Sequence, residues 1–164
     1  MGLFRRRSVP EQVRALALER GERRVAWAVT TEGAPVVATN VGLHLPGRAR
    51  LDWEQVERAG FAKPVLTVVE LSEREGTGRR HVVELDLSTD TDLPETVRTR
   101  VAASVAWSSH VRLGGGGVRI VGRRRPGLEV LDWQLVFDRN TDPDDPAVRA
   151  QAEQHLEAAR RTVG

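Results

Sequence analysis

The apolar positions of this chain fall into short alternating runs broken by turn residues, with helical spacing near the start, in the middle and at the end. Residues 8–22, "SVPEQVRALALERGE", predict a first helix. Val13, Leu16 and Ala17 share one face, Pro10 stands near the start and Gly21 is a stop signal. Residues 23–45 then read as strand, turn and strand, with "TEGAP" as the turn and β-branched residues on both sides. Residues 50–71 continue the alternation, interrupted at Gly60 and Pro64. "EREGTGRR" reads as a polar hairpin turn before the alternating strand "HVVELDL". Short connections between strands predict an antiparallel meander for this half.

The second half predicts a helix over "STDTDLPETVRTRVAASVAWSS". Asp92 is placed to cap it, with Glu95 in capping-box register and Pro94 in the first turn. Leu93, Val97, Val101 and Val105 recur every four residues as its apolar stripe, and Trp107 falls at its end. Two more strands, "GVRIVGRRR" and "LEVLDWQLVFD", precede a terminal helix from about Pro146. The inward face expected for that helix is Val148, Ala152, His155, Leu156 and Ala159. The fold class this implies is α+β: a bent antiparallel sheet or partly closed barrel with an N-terminal, a central and a C-terminal helix. Residues 9–164 are expected to form one domain behind a flexible basic tail, residues 1–8.

An internal match complicates this reading. At a constant offset of 80 residues, "VAW" at 25–27 meets 105–107, and "LDW" at 51–53 meets 131–133. Duplication would produce such a pattern. The helix expected around Trp107 argues against it, because Trp27 reads as strand.

Composition narrows the chemistry. The absence of cysteine excludes disulfides, thiolate nucleophiles and cysteine-ligated metals, and it suits a reducing cytoplasmic location. A sequence pI near 10.2 suggests nucleic-acid binding, yet the formal charge is only +2. With Lys63 the lone lysine and no tyrosine, little titrates above neutrality, so a small arginine excess lifts the pI without a strong field. "MGLFRRRSVPEQ" lacks the apolar core of a secretory signal, and no apolar run reaches membrane-helix length. Leu3 and Phe4 beside Arg5–Arg7 read as a solvated tail rather than a membrane contact.

The glycine run "RLGGGGVRIVGRRRPG" invites a phosphate-loop reading. Arg123 and Arg124 stand where that loop needs Lys and Ser/Thr, and strands rather than a helix follow the glycines. The run therefore predicts a turn. "DRNTDPDD" and "DLSTDTD" space oxygen ligands like calcium loops but lack the glycine and glutamate such loops require, so helix capping is expected of them. His44, His81, His110 and His155 show no metal spacing, and no nucleophile elbow occurs. Trp27, Trp53, Trp107 and Trp133, one per predicted element, read as core anchors. No cofactor is expected.

Residues 24–71 resemble bacterial pleckstrin-homology-like domains. The resemblance rests on a strand ending Thr39 to Leu43 in the pattern T-x-x-x-L, then Trp53 and Val56 as W-x-x-[VI]. It implies a bent antiparallel sheet plugged by a helix in a binding or scaffolding module. Lipid-binding members carry basic residues in the first hairpin. Here that turn is "TTEGAP", with Glu32 and no arginine, so phosphoinositide binding is not implied. The second half is similar to an actinobacterial protein group.

These readings together predict a non-enzymatic cytoplasmic binding or adaptor module with a protein partner. The candidate contact residues are Arg123 and Arg125, expected on one strand face with Arg124 opposite, and Arg79 and Arg80. The alternative is a nucleic-acid-associated protein using Arg5–Arg7, Arg79–Arg80 and Arg123–Arg125. An enzyme would require a deep pocket holding His110 or His81 with a carboxylate in reach.

Overall fold

In the computed structural model the described residues are 8–71, 81–88, 90–125 and 127–163. They form an α+β chain of three antiparallel sheets and three helices, and none of the sheets closes on itself. A short helix α1 (Glu11–Ala15) leads into the first sheet. Its strands β1 (Arg24–Val29), β2 (Pro35–Thr39), β3 (Gly42–His44) and β4 (Leu51–Asp52) neighbour one another in chain order. A 3₁₀ turn (Trp53–Gln55) delivers the chain to the second sheet, β5 (Val56–Ala62), β6 (Val65–Glu70) and β7 (His81–Asp86). Helix α2 (Leu93–Ser104) follows. The third sheet, β8 (Val105–Leu113), β9 (Gly116–Arg124) and β10 (Leu131–Phe137), is again a meander, ahead of α3 (Pro146–Val163).

Two cores hold these layers. The larger gathers inward positions of the first two sheets, among them Val36, Leu43, Trp53, Val56, Leu66 and Val68, against Leu93, Val97 and Val101 of α2. A bridge between Thr30 and Leu87 joins the first two sheets at one corner. The smaller packs Leu113, Val118, Leu135 and Phe137 of the third sheet on Val148 and Ala152 of α3. His155 of α3 is exposed, so it does not belong to the inward face expected for it.

Several boundaries differ from the sequence reading. The first helix stops at Ala15, because the Arg24 guanidinium takes the carbonyls of Val13, Arg14 and Leu16 at 2.8–3.1 Å. Those acceptors would otherwise serve further helical turns. Trp53 lies in the 3₁₀ turn rather than in a strand, closed by a capping box between Asp52 and Gln55. Asp92 makes no side-chain cap on α2; Thr91 Oγ1 accepts the Leu93 N–H at 3.1 Å instead. The apolar stripe of α2 ends at Val101, and from Val105 the chain is strand.

Trp107 therefore lies in a strand like Trp27, which removes the stated objection to a duplication. Register supplies a different one. Trp27 pairs with Val37, ten residues on, whereas Trp107 pairs with Gly122, fifteen residues on. The matched segments are paired differently.

The glycine run is the tip of the β8–β9 hairpin, with strands on both sides and Gly114–Gly115 as the loop. Gly115 has φ +88°, in the left-handed region. Gly116 and Gly117 are required by close approach. A Cβ on Gly116 would overlap Thr141 Oγ1, and one on Gly117 would lie 2.5 Å from Asp138 Oδ2 and 2.8 Å from His110 Nε2.

Candidate binding site

The third sheet joins the rest of the chain through polar contacts. Arg123, in β9, is 3% exposed. Its guanidinium donates to Gln134 Oε1 (2.9 Å), Ser104 Oγ (2.7 Å), the Val101 carbonyl (3.3 Å) and the Glu57 carbonyl (3.1 Å). Gln134 Nε2 in turn donates to the Glu54 carbonyl at 2.6 Å. Burial pulls the Arg123 pKa down, opposed by the charges of Glu57 and Glu54. With acceptors for its donors, the guanidinium keeps its charge inside the protein.

Beside this junction, β5 and the face of the third sheet away from α3 bound an open cleft of about 580 Å³. Val105, Val121, Val136 and Phe137 supply its apolar lining, and Arg58, Arg119 and Arg139 stand around it. All three arginines are exposed, and none makes an ion pair among the described residues. Of the two lining carboxylates, Glu57 sits close enough to Arg123 to act on its charge, and Asp138 bonds His110 Nε2 at 2.9 Å. Strand alternation places Arg119 and Arg123 on the same face of β9, four residues apart, one outside and one inside.

The His110–Asp138 pair is the arrangement that would favour an enzyme, but its setting is open. The two side chains are 43% and 39% exposed, and the pair bridges over Gly117 at the hairpin base. It ties β8 to the end of β10. His81, likewise exposed, lies 3.4 Å from Glu70, which Arg48 holds at 2.6 Å. Among the described residues no group of three metal-ligating side chains is gathered.

A second polar cluster is buried where the loop after α1 meets the first sheet. Glu22 receives the Thr39 hydroxyl at 2.8 Å, the Glu19 N–H at 3.0 Å, His44 at 2.7 Å and Arg50 at 3.2 Å. Burial alone would raise its pKa, but these hydrogen bonds and the charge at His44 more than offset that and hold it at about 2. Glu54 is the opposite case. Burial pushes its pKa up, and its Oε2 has no hydrogen-bond partner among the described residues, while Oε1 lies 3.2 Å from Arg125.

Of the residues expected to contact a partner, Arg123 and Arg125 are not brought together at the surface. Arg123 is turned inward, because its face of β9 packs on α2 and β5, so the expected grip by Arg123 and Arg125 does not form. Arg125 is half exposed and held by Asp132 and Glu54, with Asp132 raising its pKa. Arg79, Arg80 and Arg5–Arg7 lie outside the described residues. Arg58, Arg119 and Arg139 are scattered singly along the chain, and clustering in sequence does not find them. The only signal was an arginine at the exposed phase of an alternating strand, as in "GVRIVG". Among the described residues no helix is long and apolar enough to cross a membrane. In comparison with known proteins, no family model matches this chain, and no curated protein or solved structure is significantly similar to it.

Proposed function

We propose that the chain is a non-enzymatic binding module of pleckstrin-homology-like architecture whose cleft seats an acidic segment of a protein partner. The order of elements over residues 24–104 supports the architectural part: a four-stranded meander, a three-stranded meander and a helix packed across both. The third sheet and α3 are an addition to that plan, and they form one wall of the cleft.

A single observation carries the binding part. Three guanidiniums without ion partners among the described residues surround a partly apolar cleft, while the nearby carboxylates are engaged within the protein. Guanidiniums bind carboxylates in planar, two-pronged fashion, and the apolar lining suits side chains flanking the acidic ones. The cleft is of the size that accommodates small ligands or a few side chains.

The test compares the wild-type chain with Arg58→Glu/Arg119→Glu/Arg139→Glu on an array of extended peptides, acidic and neutral, with single-stranded oligonucleotides as a separate arm. All three side chains are exposed, so the variant keeps its circular dichroism spectrum. Binding of acidic peptides that weakens with salt and disappears in the variant supports the reading. Equal peptide binding by both proteins defeats it. Selective retention of oligonucleotides over peptides replaces it with a nucleic-acid reading.

A further inference from the structure

The third sheet ends in an edge that has no partner. β8 pairs with β9 along one side, and no strand among the described residues pairs with its other side. Every second residue there therefore presents its N–H and C=O outward, a template for another strand. Sheets block such edges with proline, lysine, opposed charges or short length. β7, the edge of the second sheet, carries the exposed carboxylates Glu84 and Asp86. β8 is nine residues long, with a bulge between Val105 and Trp107 at one end. Beyond that bulge it holds neither proline nor lysine, and its one arginine, Arg112, stands near the far end.

We propose that two copies of this chain pair through these edges, antiparallel, with Ser109 opposite Ser109 of the second copy. In that register Trp107 faces Val111, an aromatic and β-branched pair of the kind that stabilises neighbouring strands, and Ser108 faces His110. Arg112 faces Ala106 at the bulge, so no like charges are opposed. Moving the centre to His110 would oppose two histidines and put Ser109 against Val111. Moving it to Ser108 would remove Trp107 from its apolar partner. Ser109 is the centre at which the strand is most nearly complementary to itself.

The product is a continuous six-stranded sheet, β10-β9-β8 followed by the same three strands reversed. The two-fold axis stands perpendicular to the sheet, so both α3 helices lie on one face and both clefts open on the other. The pairing does not depend on what the clefts bind.

The chain has no cysteine, so a single introduced one reports on the contact without background. Directly opposed residues on antiparallel strands lie ~4.5–5.5 Å apart at Cα, within reach of a disulfide. The variant Ser109→Cys, mildly oxidised, is expected to give a reducible covalent dimer. Glu32→Cys, exposed on the β1–β2 turn, is the control for random collision. In sedimentation equilibrium the wild-type chain should carry the mass of two copies, and Ser108→Lys/His110→Lys, both exposed positions, should return the mass of one by setting ammonium groups opposite each other. A wild-type chain that stays monomeric at every concentration, a double variant that remains dimeric, or crosslinking at position 109 no faster than at position 32 would each overturn the proposal.

Discussion

Arg123 Nη1 lies 2.7 Å from Ser104 Oγ, so the middle of the third sheet is fastened to the last turn of α2 by a guanidinium that solvent barely reaches. The contact explains how a sheet with its own small core stays in place against the larger one. Its donors meet neutral acceptors on α2, β5 and β10, and any shorter side chain withdraws these hydrogen bonds, leaving the Val101 carbonyl with only the Ser104 hydroxyl.

Replacing Arg123 with alanine should therefore cost about 3 kcal/mol, the upper range for hydrogen bonds to a charged group. Arg123→Lys should recover only part of this, because a single ammonium cannot reach all four acceptors. Arg125→Ala should change stability far less, since that side chain is half exposed. Urea unfolding of the three variants checks the order, and equal losses at 123 and 125 would contradict the buried role.

Three glycines of the hairpin should separate by position. Gly116→Ala drives a Cβ into Thr141 and should cost at least ~1–3 kcal/mol, as overpacking does. Gly115→Ala should cost ~1–2 kcal/mol through its positive φ. Gly114 has open space and no positive φ, so Gly114→Ala should be neutral or stabilising by about 0.5 kcal/mol. Thermal unfolding of the series measures all three.

The two buried carboxyls predict opposite responses to pH. The pKa of Glu22 is depressed from 4.5 to about 2 in the folded chain, so its contribution is present above the unfolded value. It should be lost as pH falls from about 4.5 towards 2, and at neutral pH it amounts to roughly 3 kcal/mol. Glu22→Gln should thus be destabilised at pH 7, with the gap to wild type closing in acid. Glu54 has a raised pKa, so ionising it at neutral pH opposes folding. Glu54→Gln should be more stable than wild type at pH 7, and this gain should vanish below the carboxylate range. Denaturant midpoints across pH distinguish the two signs.

The tryptophans at matched positions should differ in consequence. Trp53 is 3% exposed, and its Nε1 donates to the Thr39 carbonyl at 3.1 Å. Trp53→Ala should cost about 3–5 kcal/mol. Trp133 is only partly buried, so its role as a core anchor is narrower than the sequence suggested. Its ring meets Trp107 edge-on at 5.5 Å, above Gly122, which pairs with both residues. Trp133→Ala should cost less than Trp53→Ala and should alter the near-ultraviolet circular dichroism of the indole pair. A loss equal to that of Trp53→Ala would show that the outer pair carries more of the fold than its exposure indicates.

The local pattern determined a good deal by itself. Strand alternation from residue 24 to 70 and from 81 to 87, and the four-residue stripe of Leu93, Val97 and Val101, are driven by burying one face, a property written in residue order. The terminal helix is equally legible, and Asp145 caps it through the N–H groups of Ala147 and Val148. The glycine run was readable as a turn because strand signals follow it.

Tertiary structure decided the rest, because the deciding groups are distant in the chain. The first helix ends where Arg24 arrives to take its carbonyls. Val105 to Leu113 is strand because β9 offers it a ladder, although Val105 continues the spacing of the helix before it. Alternation correctly sets Arg123 opposite to Arg124. Which face met α2 and which met α3 depended on how two separate cores came together, and Arg123 went inward to acceptors on Val101, Ser104 and Glu57. The same docking gathered Arg58, Arg119 and Arg139 from three distant segments around one cleft. Local periodicity records which face of a strand differs from the other; only packing assigns that face to the interior, a cleft or the solvent.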